Sequence, residues 1–116
     1  MVEMTRAEFE DAVRDALDEI PDELAAMMDN VVVLVEDSPP ADEPDLLGLY
    51  EGIPLTERTS SYVMAIPDRI TIFRLPTLRI SADADEVREQ VQISVVHEIA
   101  HHFGIDDDRL HDLGYA

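Results

Sequence analysis

The chain opens with hydrophobic residues that recur at helical spacing. Thr5 and Glu8 fit a capping box, in which each side chain accepts a hydrogen bond from the backbone N–H of the other residue. Behind this box, apolar residues recur three or four apart at Phe9, Val13, Leu17 and Ile20. The pattern predicts an amphipathic helix over about residues 6–19. Pro21 ends it and can open a second short helix over 22–29, because proline is favoured at the first helical position.

The middle of the chain contains four apolar runs that are typical of β-strands. They are Val31–Val35, Leu46–Tyr50, Ser61–Ile66 and Ile70–Leu75. The first run is continuous and β-branched, which indicates an internal strand covered on both faces. Residues 67–69 form a tight connection between the last two runs, and Pro76 ends the last one. The acidic, turn-rich segment 37–44 is predicted to be an exposed loop.

A long helix is predicted near the end of the chain, over about residues 84–103. Its apolar face is marked by residues four apart, which are Val87, Val91, Val95 and Ile99. Ser81 or Asp83 can cap its start, and Gly104 stands where a glycine commonly ends a helix. A last short helical turn can follow over 107–113.

The order of these elements predicts an α+β fold. We expect a single domain over residues 1–116, built on a small mixed sheet of about four strands. The N-terminal helix and the long C-terminal helix are expected to pack on one side of that sheet.

Composition narrows the classes of function. The 116 residues include 27 acidic and 8 basic ones, which gives a net charge of −19. Such a charge repels nucleic acid phosphates and anionic membranes, so no nucleic-acid or membrane partner is expected. No segment resembles a signal sequence or reaches membrane-spanning length, so we expect a cytoplasmic protein. Because the chain has no cysteine, any metal must be held by histidines and carboxylates.

Residues 97–101 have the sequence His-Glu-Ile-Ala-His. Side chains four apart on a helix lie one above the other, so His97 and His101 can bind one metal ion. Glu98 lies about 100° further around the helix. It can border the metal without binding it, which is where a general base for a bound water is needed. His102 is offset from His101 by the same angle and is expected to face away from the metal as an exposed residue.

The residues that follow can complete a metal site. Gly104 permits left-handed backbone geometry, so the chain can leave the helix sharply and turn back toward the metal. Asp107, three residues later, can then provide a carboxylate as the third ligand. Asp108 and His111 are alternatives for that position. Two histidines and a carboxylate suit iron, manganese or nickel as well as zinc.

The whole pattern, His-Glu-x-x-His-x-x-Gly-x-x-Asp, resembles the extended zinc-binding motif of the metzincin clan of metallopeptidases. A wider set of segments resembles a small bacterial family of minimal zincin-like metallopeptidases, with the likeness extending over residues 8–116. Those segments are 47–58, 67–74, 95–108 and 113–115. The resemblance implies a minimal zincin-like fold and one zinc ion bound by His97, His101 and Asp107, with Glu98 as the base.

The activity implied by this resemblance is peptide-bond hydrolysis through a zinc-bound water, with a peptide or protein as the substrate. Glu98 would take the proton of that water, and Tyr115 could return to the cleft to stabilise the oxyanion. The resemblance also implies an edge strand that could pair with an extended substrate. Metzincins place a Met-containing turn beneath the metal, whereas no methionine follows Met64 here. The alternative is a non-catalytic module on a zincin fold, which holds a metal or a peptide segment without turnover.

Overall fold

A computed structural model describes residues 2–52, 67–105 and 107–112, without the side chain of Asp107. These residues form five helices and three strands. The helices are α1 (Arg6–Asp18), α2 (Asp22–Met27), α3 (Arg74–Ile80), α4 (Ala84–Phe103) and α5 (Asp107–Asp112), and the strands are β1 (Val31–Glu36), β2 (Gly48–Glu51) and β3 (Asp68–Phe73). Among the described helices, none is both long enough and apolar enough to cross a membrane.

Helix α1 begins at the predicted capping box. Thr5 Oγ1 accepts a hydrogen bond from the Glu8 N–H at 3.2 Å, and Glu8 Oε1 accepts one from the Thr5 N–H at 2.9 Å. The buried face of α1 packs against α4 and consists of Phe9, Ala12, Val13 and Ala16. Pro21 is the N-cap of α2 rather than its first helical residue, and α2 ends at Met27, earlier than predicted.

The described strands form a three-stranded sheet in the order β1-β3-β2. The central strand β3 is parallel to β1 and antiparallel to β2, so the sheet is mixed and the predicted α+β class is confirmed. The described sheet has three strands instead of about four. The remaining predicted strand, Ser61–Ile66, lies outside the described residues.

Strand β1 differs from its predicted environment. Within the described residues it pairs with β3 alone, and its burial alternates along its length. Val31, Val33 and Val35 pack against the core, whereas Val32 and Leu34 are 38% and 44% exposed. The interpretation of this run as an internal strand covered on both faces was therefore wrong. A continuous apolar run does not distinguish a central strand from one with a single covered face.

The segment after β3 is helical, contrary to prediction. β3 ends at Phe73 and α3 begins at Arg74, so Pro76 lies at the third helical position instead of ending a strand. The first helical N–H groups have no partner within the helix, so a proline in the first turn removes no helical hydrogen bond. The buried Thr77 hydroxyl donates to the Phe73 carbonyl at 2.8 Å, which further ties α3 to the end of β3.

Helix α4 is the element around which the others pack. Asp83, rather than Ser81, caps it by accepting a hydrogen bond from the Glu86 N–H at 2.8 Å. The predicted apolar face is buried to within 1% and consists of Val87, Val91, Val95 and Ile99. It forms one core with α1 and with the sheet face that carries Ile70 and Ile72. Gly104 ends the helix in the left-handed conformation, at φ 70° and ψ 30°.

Candidate active site

The His-Glu-x-x-His segment lies in the last turns of α4. Its two middle residues, Ile99 and Ala100, are each 1% exposed and belong to the core. His97 and His101 are exposed. Because they are four residues apart on one helix, they lie on the same face. The core packing of Ile99 and Ala100 fixes the rotation of α4 and thereby leaves the histidine row at the surface.

The chain turns immediately after this row. Gly104 takes the left-handed conformation, and the Ile105 N–H donates back to the Ala100 carbonyl at 2.9 Å. Helix α5 then begins at Asp107. The position of the turn agrees with the sequence, but the Asp107 side chain lies outside the described residues, as does Tyr115. The assignment of Asp107 as the third ligand therefore stays a prediction.

The two alternative ligands can be examined directly. Asp108 and His111 are both exposed on α5. Over residues 2–52, 67–105 and 108–112, no three histidine or carboxylate side chains cluster closely enough to hold a metal ion. Neither Asp108 nor His111 is therefore grouped with the pair on α4. Of the three candidate third ligands, Asp107 is the one whose side chain lies outside the described residues.

Glu98 has an environment that differs from that of its histidine neighbours. It is half-buried, and this burial raises the pKa of its carboxyl above the ordinary value of 4.5. The nearby His101 imidazole, a hydrogen bond from the Tyr50 backbone N–H and the His97 imidazole all act in the opposite direction on that pKa. A partly dehydrated carboxylate binds a proton more readily, which is the property that a general base requires.

The strand pairing explains why Tyr50 can donate to Glu98. The Phe73 N–H donates to the Leu47 carbonyl at 2.9 Å, and Tyr50 lies opposite Ile70 in the antiparallel register. Alternate residues of an antiparallel strand direct their N–H groups toward the partner strand. The backbone N–H groups of Leu47 and Leu49 therefore point to β3, whereas the Tyr50 N–H points away from β3, where the Glu98 carboxylate can accept it.

His102 is exposed, as predicted, but its ring also contacts two strands of the sheet. Its ring stacks on the Tyr50 ring, with 4.0 Å between centroids and 17° between planes. Its Nε2 lies 3.9 Å from Oδ2 of Asp68, and the same oxygen accepts a hydrogen bond from the Tyr50 hydroxyl at 2.7 Å. We name Tyr50, Asp68 and His102 the strand clamp, because they join β2, β3 and α4.

The strand clamp was missed at the level of sequence, although one signal was present. Glu98 and His102 are four residues apart, so they share a helix face in the same way as His97 and His101. That spacing indicates two parallel rows on α4, but it does not identify what the second row contacts. Tyr50 and Asp68 come from strands 52 and 34 residues before His102, and local periodicity carries no information on such a contact.

Comparison with known proteins adds one finding. A family model described as zincin-like metallopeptidase matches residues 28–115. The match includes β1, β2, β3, α3, α4 and α5, and it contains the whole His-Glu-x-x-His segment. No curated protein matches the chain.

Proposed function

Since this chain belongs to the zincin-like metallopeptidase family, we propose that it hydrolyses peptide bonds at one zinc ion held by His97, His101 and Asp107. Glu98 is the proposed general base. The observation that carries the proposal is the environment of Glu98, a half-buried carboxylate beside two exposed imidazoles. Two imidazoles and a carboxylate with no cysteine form a donor set that suits catalytic zinc.

Each residue has a defined part in the proposed reaction. His97 and His101 bind the metal as neutral imidazoles through ring nitrogens. A bound zinc ion would lower the pKa of a coordinated water and polarise the scissile carbonyl. A Glu98 carboxylate oxygen accepts the proton of the attacking water and passes it to the nitrogen of the leaving amine. The Tyr50 N–H contacts that carboxylate and stabilises its charged form. Tyr115 is the proposed donor to the oxyanion.

The proposed substrate is a peptide or an unfolded protein segment, bound in an extended conformation along the outer edge of β2. In the described sheet β2 is the outer strand on that side, and the backbone groups of Gly48 point away from β3. The net charge of −19 argues against nucleic acid as a partner. We assign the activity to a single domain over residues 1–116 that acts in the cytoplasm.

Metal analysis combined with hydrolysis of a peptide library tests the proposal. We expect one zinc ion per chain and peptide turnover that falls on the order of 10²- to 10⁴-fold in Glu98→Gln, with zinc retained. His97→Ala should lose both zinc and turnover. Glu89→Gln is the matched control, because Glu89 is an exposed glutamate on the same helix. A protein that contains no metal at neutral pH and takes up no zinc on titration would contradict the proposal.

A second candidate is a zincin fold that holds zinc for structure and does not turn over substrate. It is favoured by residues 65–116, which contain no methionine for the Met-containing turn that metzincins place beneath the metal. A structural zinc contributes directly to folding, so a chelator should then lower the melting temperature sharply. A chelator that abolishes turnover and leaves a cooperative unfolding transition favours the peptidase instead.

A further inference from the structure

Helix α4 carries two rows of side chains near its C-terminal end. The first row is His97 and His101. The second is Glu98 and His102, which lies about 100° further around the helix. Both members of the second row contact Tyr50 of β2. Glu98 accepts a hydrogen bond from its backbone N–H, and His102 stacks on its ring.

The Tyr50 ring is fixed at two places. Its hydroxyl donates to Asp68 Oδ2 at 2.7 Å, and Asp68 is the first residue of β3 with a side chain that is 13% exposed. Its ring face lies on His102, whose Nε2 is 3.9 Å from the same Asp68 oxygen. The central strand therefore anchors one end of the ring, while α4 covers its face.

The chain leaves room for this arrangement at the end of β2. A Cβ atom at Gly52 would lie 3.3 Å from Cε1 of His102 and 3.6 Å from Cε1 of Tyr50. The first of these distances is tighter than an ordinary van der Waals contact. Glycine at this position therefore lets the imidazole approach β2 closely enough to stack.

We propose that His102 is a positioning residue for the peptidase reaction. By stacking on Tyr50, it holds the Tyr50 backbone N–H on the Glu98 carboxylate and thereby fixes the orientation of the base. This inference rests on the proposed function for the role of Glu98. His102 acts through Tyr50 and contributes neither a metal ligand nor the proton acceptor. A misplaced catalytic group loses rate because the reacting atoms no longer meet in the required geometry.

Kinetics of three variants test this role. His102→Ala should lower kcat by about 10- to 100-fold, with KM and bound zinc unchanged, because a small misplacement of the base costs rate without affecting the metal. His102→Phe keeps an aromatic ring on Tyr50 and should restore most of kcat. Tyr50→Phe keeps the stack but loses the hydroxyl bond to Asp68, and it should give an intermediate value. Glu89→Ala, on an exposed part of α4, is the control that leaves kcat unchanged.

Amide hydrogen exchange at Tyr50, followed by NMR in the zinc-loaded protein, tests the same inference without a measurement of turnover. The Tyr50 amide should exchange about 2- to 10-fold faster in both Glu98→Ala and His102→Ala, because one hydrogen bond is lost or loosened in each. In His102→Phe it should exchange as in the wild type. The melting temperature of each variant, measured alongside, identifies any that fails to fold; if His102→Ala is one of them, His102→Gln, which also removes the ring stack, replaces it in the comparison.

The outcomes separate the two proposals. Equal Tyr50 exchange in wild type and His102→Ala overturns the positioning role, whatever the turnover. Zinc content that falls in parallel with kcat in His102→Ala also overturns it, because His102 would then act on the metal. A wild-type protein that binds zinc but hydrolyses no peptide overturns the proposed function, and the Tyr50 amide still decides whether His102 holds the hydrogen bond to Glu98.

Discussion

Five consecutive residues near the end of α4, 97–101, include both a buried face and an exposed face of the helix. Ile99 and Ala100 are buried in the core, each at 1% exposure. His97 and His101, which flank them, are exposed. Glu98 lies between these extremes and is half-buried against β2. The core residues and the residues of the proposed active site therefore lie on different faces of one short segment.

This difference indicates how a chain of 116 residues can support the proposed catalytic site. A small domain has one modest core and little stability to spare. Here the helix that contributes the proposed metal ligands is also the helix around which the core forms, so no separate scaffold is needed. We expect substitutions on the core face to reduce stability, and those on the exposed face to reduce metal binding or turnover.

The largest expected effect comes from a pair of substitutions two residues apart. Ile99→Ala removes a fully buried side chain and should lower the free energy of unfolding by about 2–5 kcal/mol. His101→Ala removes an exposed side chain and should change that free energy by less than about 0.5 kcal/mol in the metal-free protein. Urea denaturation in the presence of a chelator measures both values.

The same two substitutions should affect zinc binding in the opposite order to their effects on stability. The folded fraction of Ile99→Ala should keep its zinc at low temperature, whereas His101→Ala should lose it. If His101→Ala destabilised the metal-free protein as much as Ile99→Ala, the division between the two faces would be wrong, because the histidine would then be part of the core.

A smaller effect is expected where the sheet meets α4. A Cβ atom at Gly48 would lie 3.3 Å from Cδ1 of Ile72, 3.4 Å from the carbonyl oxygen of Thr71 and 3.7 Å from Cβ of Ser94. Ile72 is fully buried, so its Cδ1 atom has little room to move away, and Gly48→Ala should cost about 1–3 kcal/mol through overpacking.

The same substitution should also reduce turnover, because β2 carries the Tyr50 N–H that contacts Glu98. Denaturation and peptide hydrolysis, measured on one preparation, test the two effects together. Lower stability with full turnover would show that the position of β2 does not control Glu98. Unchanged stability would show that the neighbours of Gly48 relax without cost.

The parts of the molecule that the sequence predicted correctly are those set by local interactions. The Thr5 capping box and the Val87–Ile99 face depend on residues three or four apart, and both were confirmed. The left-handed Gly104 is also a local feature, since it follows directly from the end of the helix.

The parts that were wrong depend on distant partners. A run of valines cannot reveal that β1 has one neighbouring strand in the described sheet. Pro76 suggested a strand end, but the chain had already turned into α3 at Arg74. The contacts of His102 were hidden for the same reason, because Tyr50 and Asp68 reach it only through the pairing of β2 with β3. The metal ligands themselves stay predictions, since only their positions on α4 and α5 are described.

The smallest expected effect concerns the pH dependence of stability, which should distinguish the Asp37 carboxylate from the Glu98 carboxylate of the proposed active site. Asp37 accepts a hydrogen bond from Arg74 Nε at 2.8 Å, and this bond lowers the pKa of Asp37 below its ordinary value of 3.8. Arg74 also donates to the Met4 carbonyl at 2.7 Å, so the pair joins α3 to both the loop after β1 and the N-terminal segment. Burial acts in the opposite direction on Glu98, whose pKa is raised.

The lowered pKa of Asp37 sets the sign of its effect on stability. As the pH falls, the unfolded chain binds a proton at Asp37 near its ordinary pKa of 3.8, and the folded chain does so only at a lower pH. The stabilisation is therefore fully present above pH 3.8 and is lost as the pH falls through the pKa of Asp37 in the folded chain. Asp37→Asn should therefore lose less stability than the wild type when denaturation midpoints at neutral and acidic pH are compared. Asp42→Asn, an exposed residue of the same loop, is the control and should follow the wild type. If Asp37→Asn also followed the wild type, the bond to Arg74 would contribute nothing to the acid sensitivity of the fold. The difference in pKa between Asp37 and Glu98 would then have no effect on stability.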